Sequence, residues 1–260
     1  MIVQGMLRGE RKLVLFMLVF TLMFAAVASA ASSSTPYATM YWGNNKYYLT
    51  NNTWGSDTAG SGWWQSIYYN SNTNMGFSWD WKYQNPYNVK GYPSIVSGWQ
   101  WTNGYTAGSG FPTRIWDNKN INASVNYSIS ASGAYNAAYD LWFHTTNNAQ
   151  SNSTPSDEIM IWLNNTNAGP MGTYQETVWL AGAQWDLYKG MHSSGWNVFS
   201  FVRKGNTSSS SMNLRDFIHH IVYSKGWMSN SKYVSSVQFG TEVFTGSGNM
   251  HISNYSVNVQ

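Results

Sequence analysis

From Tyr37 onward, short stretches rich in Val, Ile, Tyr, Trp and Thr alternate with turn clusters such as Asn51-Asn52, Thr102-Asn103-Gly104 and Asn164-Asn165-Thr166. β-Branched and aromatic side chains fit a pleated, half-buried surface, while Asn and Gly supply the backbone angles of tight turns. Many short strands at such spacing predict an all-β sandwich or jelly roll. One segment breaks the pattern. Leu214, Phe217, Ile218, Ile221 and Val222 recur at helical spacing, Ser and Asn residues around position 211 can cap the start, and Lys225-Gly226 suits the end. This predicts a single amphipathic helix. No composition shift, charge run or repeat marks a second domain, so residues 37–260 read as one.

The first thirty residues differ from the rest. Arg8, Arg11 and Lys12 precede an apolar run from Leu13 to Val27 that ends in small residues. That is a secretory signal pattern, with cleavage expected after Ala30 through Ala28-Ser29-Ala30, Ala26-Val27-Ala28 serving as well; the alternative is a retained anchor, although the run falls short of the ~20 residues that span a bilayer comfortably. Residues 31–36 then read as a disordered leader, and the mature chain is expected to be secreted and extracellular, or tethered through its apolar segment. It contains no cysteine. Packing and backbone pairing must therefore carry its stability, and thiol catalysis and cysteine metal sites are excluded.

Charged residues make up only 10% of the chain while aromatics reach 17%, with 15 Trp and 18 Tyr among many Asn, Ser, Thr and Gly. A net charge of +3 is too weak and scattered to suggest nucleic acid. Aromatics beyond the needs of a core imply a ligand with apolar faces and hydroxyls, because rings stack on such faces and amides bond the hydroxyls. Sugar polymers fit best; the bland alternative is that the aromatics only fill the sandwich. The neighbouring His219 and His220 point different ways on the predicted helix and cannot chelate one metal. No metal motif is found, and no cofactor is expected.

Hydrolysing a glycosidic bond needs one carboxylic acid to protonate the leaving oxygen and one carboxylate to attack the anomeric carbon or activate water there. Only Glu158, Glu176 and Glu242 are glutamates beyond the first thirty residues. Strand alternation over 157–163 puts Ile159, Ile161 and Leu163 on a core face and Glu158, Met160 and Trp162 on the other. Glu158 could be a surface residue at a strand start, but its Met and Trp company suggests a desolvated cleft. Over 237–246, Val237, Phe239, Thr241 and Val243 point inward and Gln238, Gly240, Glu242 and Phe244 outward. Gly240 either leaves room for a sugar ring or marks a β-bulge. Asp140 and Trp142 oppose Tyr139, Leu141 and Phe143, so Asp140 can share the same concavity. Glu176 reads as an edge charge.

The segments Asp-Glu-Ile-Met-Ile-Trp-Leu at 157–163 and Phe-Gly-Thr-Glu-Val-Phe-Thr-Gly-Ser-Gly at 239–248 resemble the two signature strands of glycoside hydrolase family 12 endoglucanases. Stretches at 48–55, 91–94, 136–143 and 169–172 agree, and the resemblance covers essentially the whole chain beyond the signal segment. It implies a jelly-roll sandwich of two curved antiparallel sheets, with a concave substrate cleft and one helix packed on the convex side. It also implies that Glu158 is the nucleophile, Glu242 the acid/base and Asp140 the hydrogen-bonding assistant of the nucleophile. Trp54 would stack a glucosyl unit on the non-reducing side of the cut with Asn52 nearby. Met160, Trp162, Pro170 and Phe244 complete the expected substrate-binding set. Two departures stand out: Val243 replaces a proline common in the family, and the cysteines that some members pair near the amino terminus are missing.

The expected activity is endo-β-1,4-glucan hydrolysis by a retaining double displacement, which asks for carboxyl groups about 5–5.5 Å apart. No metal, nucleic acid or obligatory protein partner is expected, and the chain reads as a monomer. The rivals are a non-catalytic glucan-binding module and a structural surface-layer domain. Within the enzyme reading, cellulose, mixed-linkage glucan and xyloglucan stay open, a xyloglucan-specific endoglucanase being the alternative. The scarcity of carboxylates in ion pairs predicts tolerance of acid.

Overall fold

A computed structural model describes residues 31–82 and 88–260; the expected signal segment, residues 1–30, lies outside the described residues. In chain order the strands are β1 (Ala31–Ser33), β2 (Thr39–Trp42), β3 (Tyr47–Thr50), β4 (Trp64–Ser71), β5 (Asn74–Asp80), β6 (Ser94–Gln100), β7 (Gly104–Tyr105), β8 (Thr113–Arg114) and β9 (Ile121–Ala131). They continue as β10 (Ala134–His144), β11 (Asp157–Thr166), β12 (Thr173–Leu180), β13 (Ala183–Met191), β14 (Asn197–Arg203), β15 (Ser209–Asn213), β16 (Tyr233–Gly240), β17 (Val243–Thr245) and β18 (Ser247–Val259).

Two sheets face each other, as the strand spacing predicts. The smaller runs β1-β4-β5-β18-β9-β15; the larger runs β12-β13-β14-β11-β10-β16-β6-β3-β2, with β7, β8 and β17 attached to β6, β16 and β10. Their facing surfaces supply one core, in which Phe77, Val125, Met250 and Ile252 of the smaller sheet meet Leu141, Ile159, Ile161, Val237 and Phe239 of the larger. This is the expected all-β jelly-roll sandwich. Among the described residues, pairing departs from antiparallel where β11 runs parallel to β14. The chain leaves β11, skips two positions to β12, and returns through the antiparallel β13 to lie beside the strand it left.

Two expectations about the first strands need comment. Residues 31–36 are not an unstructured leader throughout, because Ala31–Ser33 pair with Ile67–Tyr69 as an edge strand. Backbone donors and acceptors left open along β4 find partners there. In place of a disulfide, a buried amide ties this region: Asn51 Nδ2 donates to the carbonyl oxygens of Thr35 (2.9 Å) and Gln65 (3.1 Å), and the Asn51 backbone bonds Tyr37 and Ala38.

The larger sheet is buried on both faces at its centre. All eleven residues of β10 and all seven of β6 are buried, whereas β9 in the smaller sheet alternates buried with exposed. One face of β10 meets the core. The other carries Asp140 and Trp142 with no further layer of secondary structure over it, so its neighbours must be side chains of a sheet that curves around them. A concave second face follows from this burial.

The helix lies where the smaller sheet stops. Arg215–His219 is α-helical and His220–Ser224 continues as a wider π-type turn that ends at Gly226, whose φ is +67°. The start is served from Asn213, whose Oδ1 accepts from Arg215 N at 3.2 Å. Leu214, Phe217, Ile218, Ile221 and Val222 all enter the core. Phe217 sets its ring against Trp185 of β13 and Phe201 of β14, 5.0 and 5.1 Å between centroids. The helix therefore covers the core face of strands that the smaller sheet does not reach. Phe217→Ala should lower unfolding free energy by about 3–5 kcal/mol in urea titrations, because it opens a cavity under the helix.

Candidate active site

The concave face is built from alternate residues of adjacent strands. β10 lies between β11 and β16, with Trp142 opposite Glu158, Asp140 opposite Met160 on one side and Gln238 on the other, and Ala138 opposite Gly240. Since strand side chains alternate, Glu158, Met160, Trp162, Asp140 and Trp142 share the face away from the core. Met160, Trp162 and Phe244 pack with Ala134 and Ala138 into a separate apolar cluster on that face. The sequence patterning therefore assigns these strands to the correct faces, and the three expected substrate-binding residues Met160, Trp162 and Phe244 form a largely covered floor.

Glu242 is placed by a break in the ladder. Regular pairing of β16 stops at Gly240 and resumes in β17 at Val243. Between them, Asn136 replaces the missing ladder bonds: its Oδ1 accepts from Glu242 N (2.8 Å), its own N–H donates to Glu242 O (3.1 Å), and its Nδ2 donates to Glu242 Oε2 (2.5 Å). The break also explains Val243. Its N–H donates to Gly91 O at 3.0 Å, a bond that proline cannot make. Gly240 is required by the chain itself, for a Cβ there would lie 2.2 Å from Pro93 O and 2.7 Å from Ser94 Cβ. The room above it is taken by the neighbouring strand, not by a sugar ring.

Burial dominates the electrostatics. Asp140 and Glu158 are buried and Glu242 is half-buried beside them, which penalises the charged form of each. Desolvation pushes Glu242 up to about 8, the charge of Glu158 adds to the rise, and the bond from Asn136 opposes it. Glu158 is pushed up to about 7 by desolvation, while the indole N–H of Trp196, 2.8 Å from Oε2, and a hydrogen bond from Asp140 favour its ionised form. Asp140 is raised well above the ordinary carboxylate range by desolvation and by the charges of Glu158 and Glu242, and it keeps its proton to donate to Glu158. The hydroxyl of Tyr92, bonded to Ala138 O at 3.1 Å, feels all three carboxyl groups. The three acids thus share one buried neighbourhood.

Sequence reasoning missed three residues of this neighbourhood. Asn136 and Tyr92 carry no signal beyond ordinary buried polarity. Trp196 comes from the turn between β13 and β14, where no strand periodicity points; His192 stacks on its indole at 3.9 Å, and Trp101 and Trp142 pack around it. The other expected residues lie on loops. Trp54 is 51% exposed, and its N–H bonds Asn52 Oδ1 at 3.2 Å. The backbone of Asn52 accepts from Tyr92 N and Gln65 Nε2, which fixes this loop to the sheet. Pro170 is partly exposed on the connection from β11 to β12, beside the exposed Met171. Glu176 is the edge charge expected, paired with His220 (2.9 Å) of the helical segment and Lys225 (3.1 Å) just after it. Among the described residues no group of three or more His, Asp or Glu side chains is placed to hold a metal ion.

A sequence profile of glycosyl hydrolase family 12 matches residues 45–260. Endoglucanase S of Pectobacterium parmentieri is 53% identical over 225 residues, covering 85% of this chain and 84% of its own. A xyloglucan-specific endo-beta-1,4-glucanase A of Emericella nidulans is 34% identical, covering 82% and 85%. Among solved structures, a family 12 xyloglucanase from Bacillus licheniformis superposes with a TM-score of 0.86 at 59% identity, covering 88% of this chain and all of that one. Endoglucanase 3 of Trichoderma harzianum superposes with a TM-score of 0.76 at 29% identity, covering 90% and 99%.

The raised carboxyl groups link stability to pH in a defined direction. A folded value of about 8 for Glu242 against 4.5 for the free side chain means that the favourable contribution is complete below 4.5 and is lost as pH rises through 8. The penalty for burying these acids is therefore smallest in acid. Glu242→Gln should raise the melting temperature relative to the parent, with a gap that is small at pH 5 and widens toward pH 9 to a few kcal/mol, at about 1.4 kcal/mol per unit.

Proposed function

This chain belongs to glycosyl hydrolase family 12 and is a retaining endo-β-1,4-glucanase, and we propose that Glu158 is its nucleophile, Glu242 its acid/base and Asp140 the group that positions and partly neutralises Glu158. The observation that carries this reading is the buried trio with unequal support for charge. Glu158 receives two donors that favour its anion, whereas Glu242 is left with one donor and a nearby negative charge that favours its proton. One carboxylate and one carboxylic acid are what the first step of double displacement needs.

In that step Glu158 attacks the anomeric carbon as Glu242 passes its proton to the departing glucosidic oxygen. As the glycosyl ester forms, Glu158 loses its charge and Glu242 gains one. Glu242 then takes a proton from water, which attacks the same carbon from the opposite face and releases the sugar. Two inversions give retention. Asp140 stays protonated, so that its donated hydrogen bond steadies Glu158 without a second charge beside it. Trp54, exposed and held on a pinned loop, offers a stacking face for a glucosyl unit, with the Asn52 amide beside it.

Xyloglucan belongs among the substrates in this reading. The 59% identical structure is titled a xyloglucanase and the Emericella nidulans relative is named xyloglucan-specific, while Endoglucanase S bears the broader name. We also read the chain as an exported monomer. The apolar run after Arg8, Arg11 and Lys12 supports export, and among the described residues no helix is long and apolar enough to cross a membrane. Amino-terminal sequencing of the secreted form tests it, with a start near residue 31 expected.

Glu158→Gln should lower kcat on xyloglucan or carboxymethyl cellulose by more than about 10³-fold and still retain glucan binding; full turnover in this variant contradicts the assignment. The pH profile of kcat/KM should be bell-shaped, with an acid limb near 7 set by Glu158 and an alkaline limb near 8 set by Glu242. Trp196→Phe removes a donor that favours the Glu158 anion. It should shift the acid limb to higher pH and leave the alkaline limb in place, as initial-rate profiles would show.

A further inference from the structure

A second cluster of exposed aromatic and amide side chains lies away from the carboxyl trio. Residues 115–118 form a short turn after β8 and lie against the outward side of the helix and the turn at 229–231. A groove of about 410 Å³ between them is lined by Trp116, Asn118, His219, Tyr223 and Asn230. Trp116 and Tyr223 are 67% and 56% exposed, among the most open large aromatics of the described residues. The helix buries Phe217, Ile218, Ile221 and Val222 in the core, so the outward His219 and Tyr223 face the side opposite the sandwich. The concave face and this groove therefore belong to different surfaces.

The lining is more than exposed hydrophobic area. Leaving Trp116 and Tyr223 in water forgoes burial of large ring surface, and neither closes over the other. Among the described residues no side chain or backbone group engages the side-chain amides of Asn118 and Asn230, while His219 Nε2 is itself buried and turned away from solvent. Burial and the nearby Arg215 hold His219 below the usual imidazole range, against the opposing charge of Asp216. The frame is rigid: Trp116 N donates to Asn230 O (3.0 Å), Ile115 N to Lys232 O (3.0 Å), and Asn118 N to Ile115 O (3.0 Å). The His219 and Tyr223 rings meet edge to face at 5.0 Å.

We propose that this groove is a second, non-catalytic β-glucan site, in which Trp116 and Tyr223 stack sugar faces and Asn118 and Asn230 bond ring hydroxyls. Aromatic planes with open amides match a pyranose, which has an apolar face and an equatorial rim of hydroxyls. A site of this kind holds a polymer strand or a neighbouring strand near the cleft. Its effect is confined to long or insoluble substrates, because a short oligosaccharide held in the cleft gains nothing from it.

The test compares Glu158→Gln protein with the same protein carrying Trp116→Ala and Tyr223→Ala, by affinity electrophoresis in xyloglucan gels and by depletion onto amorphous cellulose. In parallel, Trp116→Ala/Tyr223→Ala in the active enzyme is assayed on a soluble chromogenic oligoglucoside, with melting curves as a folding check. The expected result is a threefold to tenfold loss of polymer affinity with oligoglucoside kcat/KM unchanged within twofold. Polymer binding unchanged within twofold overturns the proposal. So does an equal fall in polymer binding and oligoglucoside turnover, which would make the groove a structural support of the cleft. Failure of the catalytic assignment would show separately, as hydrolysis by the Glu158→Gln protein.

Discussion

Three carboxyl groups gathered on one face of one sheet, two of them buried and Glu242 half-buried, set the terms for the rest of this structure. Each would ionise freely in solvent, and each resists ionisation where it stands because burial costs the charged form several kcal/mol. The fold answers that cost unevenly. Trp196 and Asp140 donate to Glu158, and Asn136 alone donates to Glu242 from its side chain. The asymmetry favours the anion on one of two chemically identical side chains and the proton on the other, in keeping with the roles proposed for Glu158 and Glu242.

Holding the trio in place takes a sheet buried on both sides. β10 bears the whole load at the centre, with core residues on one face and Asp140 and Trp142 on the other. Its neighbours supply the acids: Glu158 from a regular ladder position of β11, Glu242 from a break after β16 where Asn136 substitutes for the backbone. The break depends on close backbone approach at Gly240 and on the amide hydrogen of Val243. Thus the position at which this chain departs from its family's usual proline contributes a hydrogen bond to the loop that carries the acid/base candidate.

Much of this was legible in the sequence, for reasons that differ from residue to residue. Glu158, Asp140 and the core residues between them sit on regular strands, where a period of two sorts faces reliably. The helix was legible because Leu214, Phe217, Ile218, Ile221 and Val222 follow one helical stripe. What stayed hidden depends on contacts remote in sequence. Trp196 reaches Glu158 from 38 residues away out of a turn, and Asn136 reaches Glu242 across 106 residues. Gly240 was readable as special but not as to what approaches it, and Ala31–Ser33 joined a sheet edge because β4 had unpaired backbone groups to offer.

The central claim is that burial raises the titration of two glutamates unequally above the ordinary range, Glu242 further than Glu158, and it can be observed without any substrate. The chain has four glutamates, of which only Glu158, Glu176 and Glu242 lie beyond the expected signal segment. A carbon-13 NMR titration of protein labelled at the glutamate side-chain carboxyl would therefore give three signals. The account predicts that two of them titrate near 7 and 8 and the third, Glu176, below the usual value of 4.5. Three signals that all titrate near 4.5 would contradict it.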